Sequence, residues 1–173
     1  MIHIYSGDGK GKTTAAVGLA IRAAGAGLKV HFCQFLKNGN SSEINILRKI
    51  EEITVCCCDI CNKFSFQMNE EEKEAVRKFH NRMLDEVCDI IDRENADMIV
   101  LDEIFGAYNA RLADSDRIFE IIDKISGNEK KELVLTGRYP KNEFLKYADY
   151  HSNIEAVQHP FTNGIQARKG IEF

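Results

Sequence analysis

Nine consecutive residues concentrate the chemistry of this chain: Ser6-Gly7-Asp8-Gly9-Lys10-Gly11-Lys12-Thr13-Thr14. They follow an apolar run, Ile2-His3-Ile4-Tyr5, and open a segment of helical period. Glycines allow successive backbone N–H groups to converge on phosphate oxygens, and a helix N-terminus adds partial positive charge. Lys12 supplies a mobile cation and the Thr13 hydroxyl a ligand for Mg²⁺. The strict phosphate-loop pattern asks for glycine where Ser6 stands, so the loop is a variant. Gly7, Asp8, Gly9, Lys10, Gly11, Lys12, Thr13 and Thr14 are the candidate nucleotide-binding residues, with Lys12 the candidate catalytic cation. A second group, Met98-Ile99-Val100-Leu101-Asp102-Glu103, is a buried-strand pattern that ends in two carboxylates. Beside a phosphate loop, those oxygens suit a divalent cation, Mg²⁺ or Mn²⁺, held by Thr13, Glu103 and Asp102. Together the motifs specify a nucleoside triphosphate with its metal and leave open which bond is broken.

The elements that must position these residues alternate between short β-branched runs and longer stretches of helical period, the pattern of a parallel sheet flanked by helices. Strands are expected at Ile2 to Tyr5, Leu28 to Phe35, Ile53 to Cys58, Met98 to Asp102, Glu132 to Thr136 and His151 to Val157. Helices are expected at Lys12 to Ala26, Glu70 to Glu94, Asp116 to Ile125 and Lys141 to Tyr147. In the longest, Val76, Phe79, Met83, Val87 and Ile90 recur at spacings of three and four, a stripe for core packing. Segments Leu36 to Ser42 and Asp59 to Asn69 read as loops at strand ends, where open α/β sheets bind ligands. The expected fold is α/β and P-loop NTPase-like: a mostly parallel central sheet of about six strands, helices on both faces, in one domain over residues 1–173.

Composition narrows the function classes. Twenty-three Lys and Arg against 27 Asp and Glu give a net charge of −4, which supplies no global field to hold nucleic acid or an anionic membrane. No apolar run reaches the roughly 18 residues that span a bilayer, and the first residues lack the pattern of a secretion signal, so a cytoplasmic protein is expected. The chain has six cysteines, with Cys56, Cys57 and Cys58 consecutive and Cys61 close behind. This is poor spacing for a disulfide framework and agrees with a reducing compartment. Cys58-Asp59-Ile60-Cys61 is a C-x-x-C pair, but structural zinc wants further ligands, and neighbours on a strand point to opposite faces. Burial and loop thiols are the expectation for these cysteines, with Cys33 and Cys88 acting as small hydrophobes. His3 and His31 fall within expected strands and read as structural.

Several further segments, read with the loop, resemble the ATP:corrinoid adenosyltransferases of cobalamin synthesis and salvage. They are Gly7 to Ala16, Cys33-Gln34-Phe35-Leu36-Lys37, Val100-Leu101-Asp102-Glu103, Thr136-Gly137-Arg138, and a tail of His159-Pro160-Phe161, Gly164-Ile165-Gln166-Ala167 and Gly170-Ile171-Glu172-Phe173. The resemblance spans nearly the whole chain. It implies transfer of the 5′-deoxyadenosyl group of ATP to the Co(I) centre of a corrinoid, with triphosphate as leaving group. It also implies a flavoprotein electron donor and a homodimer. Gln34, Lys37 and Arg138 are carried over as nucleotide-binding residues, with Arg22 a weaker candidate.

In the family an aromatic pair, in a pattern resembling Gly-Phe-Thr-Trp, displaces the lower axial ligand of the corrinoid. Here the stretch reads Lys63-Phe64-Ser65-Phe66, making Phe64 and Phe66 the candidate wedge. Departures at Lys63 and Phe66 bear on corrinoid range and efficiency. Relatives often carry an extension ahead of the first strand, whereas this chain begins at the strand. Two rivals share the loop: a phosphotransferase such as a nucleoside kinase, which would yield ADP, and a non-catalytic carrier of ATP and corrinoid.

Overall fold

The computed structural model describes residues 1–160 and 164–171. Phe161, Glu172 and Phe173 of the tail motif lie outside the described residues. Six strands form one sheet: β1 (Ile2–Ser6), β2 (Val30–Gln34), β3 (Ile53–Cys57), β4 (Met98–Asp102), β5 (Glu132–Thr136) and β6 (Tyr150–Asn153), in the order β3-β2-β4-β5-β1-β6. All five pairings are parallel, so every strand's C-terminal end lies on one edge of the sheet. The helices are α1 (Lys12–Gly25), α2 (Ile44–Leu47), α3 (Glu70–Asp92), α4 (Ile104–Asn109), α5 (Ser115–Ile125) and α6 (Asn142–Leu145), with a 3₁₀ turn at Ser65–Gln67.

Alternation along the central strands sends successive side chains to opposite layers. Ile99, Leu101, Leu133 and Leu135 pack with Met83, Val87, Ile118 and Ile122 from α3 and α5, and with Phe144 from α6. Met98, Val100 and Val134 pack instead with Ala16, Ala20 and Ala23 of α1 and with Ile44 and Leu47 of α2. The alanine stripe brings α1 close to the sheet, so its N-terminus sits where β1 ends. α3 begins with a capping box: the Glu72 N–H donates to the Asn69 side chain at 2.8 Å, and the Asn69 N–H to Glu72 at 3.0 Å.

Boundaries differ from expectation by a residue or two in most elements, and by four at the end of β6. β2 starts at Val30 because Gly27 to Lys29 form the turn after α1, with Leu28 N–H bonded back to Ala23 O at 3.1 Å. β6 spans Tyr150–Asn153 rather than His151 to Val157, and all four residues are exposed. The segment after it leaves the ladder because it turns across the glycine loop. Helices α2 and α4 fall in stretches to which the sequence pattern assigns no element. Among the described residues no helix is long and apolar enough to cross a membrane.

Candidate active site

The loop between β1 and α1 is shaped as much by the far end of the chain as by its own glycines. Gly9 N–H donates to Ile154 O at 2.8 Å, Ile154 N–H to Ser6 O at 2.8 Å, and Ala156 N–H to Asp8 Oδ1 at 3.2 Å. A Cβ on Gly7 would stand 2.2 Å from Ile154 O, and one on Gly9 2.7 Å from the Glu155 carbonyl. Glycine is required at both positions by backbone approach, in addition to any phosphate. Ser6, where the strict motif has glycine, is buried at the end of β1, and its hydroxyl pairs with His151 Nε2 at 2.8 Å. Its role is to tie β1 to β6.

Lys12 is buried and its ammonium donates to Gly9 O at 2.7 Å, folded back across the loop. Burial pulls its pKa below the ordinary lysine value; the nearby Glu103 pushes it back up, and Arg138 lowers it further. Thr13 Oγ1 donates to Asp102 Oδ1 at 2.9 Å, joining the start of α1 to the end of β4. Asp102 is fully buried and also receives Thr136 Oγ1 at 2.7 Å, Gln34 Nε2 at 3.1 Å and Lys37 Nζ at 3.4 Å. One carboxylate thus gathers groups from α1, β2, β4 and β5. It stands behind Thr13, and so does Gln34, which is itself buried.

Glu103 faces the cavity with a left-handed backbone, φ 63°. The strand must turn sharply here to start α4, and the Glu103 N–H is caught by Thr136 Oγ1 at 2.9 Å. Burial raises its pKa first, and the adjacent Asp102 charge adds to the rise, against Lys37, Lys12 and Arg138. Two crowded carboxylates next to a threonine hydroxyl are an oxygen-rich donor set whose mutual repulsion a hard divalent cation relieves.

The glycine loop, Lys37, Glu103 and Arg138 line one cavity of about 640 Å³, within the range of small-ligand sites. Asp8, Lys10, Thr13 and Thr14 also line it, as do tail residues His159, Ala167, Gly170 and Ile171. Glu43 is a cavity residue that sequence reading did not single out: it accepts from Gln34 Nε2 at 3.2 Å and stands 4.0 Å from Lys37. It lies at the start of the unexpected helix α2, so no strand-end signal pointed to it. Arg22 is exposed in the last turn of α1, at the opposite end of that helix from the loop.

Phe64 and Phe66 do not line this cavity. They lie on the loop after β3, on the same edge of the sheet, with their rings stacked at 5.5 Å and 6°. Both are exposed, 69% and 81%, so the pair is not part of a buried strand. Lys63 forms an ion pair with Glu72 in the first turn of α3, which anchors one side of this loop.

A glycine loop entering a helix, a carboxylate strand end beside it, and an all-parallel sheet with helices on both faces define an α/β protein of the P-loop NTPase-like class. The model of the family described as ATP:corrinoid adenosyltransferase BtuR/CobO/CobP matches residues 1–173. The corrinoid adenosyltransferase CobA of Salmonella typhimurium is 30% identical over 179 residues, covering 100% of this chain and 85% of that protein. The corrinoid adenosyltransferase of Escherichia coli K12 is 30% identical over 178 residues with the same coverage, and that of Pseudomonas aeruginosa 27% over 175 residues, covering 100% of this chain and 83% of that protein. The chain belongs to the ATP:corrinoid adenosyltransferase family and is a transferase.

Proposed function

We propose that this chain, acting as a single domain, transfers the 5′-deoxyadenosyl group of ATP to the Co(I) centre of a corrinoid in adenosylcobalamin biosynthesis. Co(I) supplies both electrons of the new Co–C5′ bond and becomes Co(III). The C5′–O bond breaks, and its electron pair leaves with the intact triphosphate. Co(I) is itself a strong nucleophile, so the protein needs no general base. Its contribution is position and charge: the loop amides, Lys12 and Lys10 surround the departing triphosphate, and Lys37 and Arg138 face the same cavity. Thr13 and Glu103, with Asp102 orienting the Thr13 hydroxyl, would hold Mg²⁺ or Mn²⁺. That ion supplies further stabilisation of triphosphate charge.

The observation that carries this reading is the Thr13–Asp102 hydrogen bond, which joins the phosphate loop to the carboxylate strand in a chain of this family. Phe64 and Phe66 form the apolar wedge that disfavours the lower axial ligand, easing Co(II) reduction by a flavoprotein donor. The working form is a cytoplasmic homodimer, which sedimentation checks directly.

The test is an anaerobic incubation with ATP, Mg²⁺ and chemically reduced cobalamin. A light-sensitive alkyl-cobalt spectrum with release of triphosphate is expected. Unchanged corrinoid with ADP as product would show a phosphotransferase and overturn the reading.

A further inference from the structure

The turn after β3, Cys58-Asp59-Ile60-Cys61, takes no part in the nucleotide site. It is tightly folded: Cys61 N–H returns to Cys58 O at 3.3 Å, and the Ile60 N–H is directed at the Cys58 sulfur. The two sulfurs lie 2.6 Å apart, and both residues are buried, at 0% and 5% exposure. Facing them is His80, fully buried in the middle of α3. Its Nδ1 lies 2.9 Å from Leu112 O, which can only accept, so Nδ1 carries the proton and Nε2 presents its lone pair. That lone pair is 3.7 Å from Cys61 Sγ. The Leu36 N–H also faces Nε2, at 3.5 Å, too long to saturate it.

We propose that Cys58, Cys61 and His80 bind a soft divalent cation, with zinc the preferred ion, and that the site fastens the Phe64–Phe66 loop to α3. The three ligand atoms lie within 4.8 Å of one another. Tetrahedral zinc with Zn–S near 2.3 Å and Zn–N near 2.0 Å places sulfur and nitrogen roughly 3.6 Å apart and two sulfurs roughly 3.8 Å apart. The Cys61–His80 separation already meets the first distance, and the sulfurs part by about 1 Å to meet the second, a movement within reach of side-chain rotation. Two thiolates and a neutral imidazole cancel the charge of the ion, which lets it sit in an apolar layer beside Phe35, Met83 and Leu84 without a counter-charge.

The groups that orient the ligands are those metal sites use: the Leu112 carbonyl on the far imidazole nitrogen, and the Ile60 and Leu36 amides on the sulfurs. Three protein ligands leave the fourth vertex to water or an added thiol. The proposal stands apart from the adenosyl transfer reading, because none of its three ligands lines the nucleotide cavity.

The full chain, purified without chelator in a phosphine reductant, is expected to retain about one zinc per molecule by mass spectrometry of the elements. X-ray absorption at the zinc edge should show two sulfur neighbours and light atoms completing the shell. Co(II) added alone to the metal-free chain should give a sulfur-to-cobalt charge-transfer band with tetrahedral d–d bands. Cys61→Ser should lose that band and Cys56→Ser should keep it. If Cys61→Ser fails to fold, the wild-type absorption data still decide, since only oxygen and nitrogen neighbours would overturn the site. Absence of retained zinc and of the Co(II) band would overturn it too, as would two thiols missing from titration and restored by reductant, the sign of a Cys58–Cys61 disulfide.

Discussion

At the scale of single residues, Lys12 and Thr13 carry the proposed chemistry and His31 carries a cost. Lys12→Ala removes the cation that reaches into the loop, and kcat/KM for adenosyl transfer should fall by at least ~100-fold with any corrinoid. Phe66→Ala makes a different prediction. Transfer to chemically generated Co(I) should be nearly unaffected while transfer starting from Co(II) falls, and equal losses in the two assays would remove the wedge role. His31 is buried in β2, its Nε2 has no partner among the described residues, and burial lowers its pKa to about 4. The folded state therefore favours the neutral ring. Stability from this group is complete above the unfolded-state value near 6.5 and is lost as pH falls from there toward 4, a change of about 3 kcal/mol. Urea denaturation of wild type and His31→Leu should diverge across that window, and parallel curves would show that His31 takes up its proton as readily in the fold as in the unfolded chain.

At the scale of elements, the glycine loop and the segment after β6 act as a pair. Gly9→Ala places a methyl group against the Glu155 carbonyl and should lower stability by roughly 1–3 kcal/mol while weakening ATP binding, measured by thermal melts and titration calorimetry. A variant that melted and bound like wild type would mean that the tail yields easily. The same pairing explains what was and was not legible in the sequence. Strands β4 and β5 announce themselves as runs of buried aliphatic residues, and the loop announces itself by its Gly-Lys-Thr ending. β6, Tyr150-His151-Ser152-Asn153, has no apolar pattern because it is an exposed edge, so its limits were misplaced. The requirement for Gly7 and Gly9 comes from residues 154 and 155, a contact between opposite ends of the chain that no local window contains. His80 escaped notice for a related reason: it sits on the core-facing stripe of α3, and only the fold brings it to Cys61. Glu43 was hidden because α2 is four residues long.

At the scale of the whole molecule, the site is assembled from the ends of β1, β2, β4 and β5, so ligand binding and global stability are linked. With ATP and Mg²⁺ at about 100 times their Kd, linkage contributes ~2.7 kcal/mol, and the Tm should rise by roughly 5–10 °C. Lys12→Ala should abolish most of that rise without changing the Tm of the free chain by a comparable amount. A rise of the same size in Lys12→Ala would place ATP somewhere other than the glycine loop.

The bonds from Ile154 and Ala156 to the glycine loop also set an order of events during synthesis. The loop leaves the ribosome long before the strand and backbone groups that hold it, which come from residues 150–156. Until those residues have emerged, residues 7–11 lack the partners that shape them, and the first helix has no finished anion site at its start. A chain interrupted before β6 therefore carries the motif without the binding site, and nucleotide binding reports that synthesis has passed that strand.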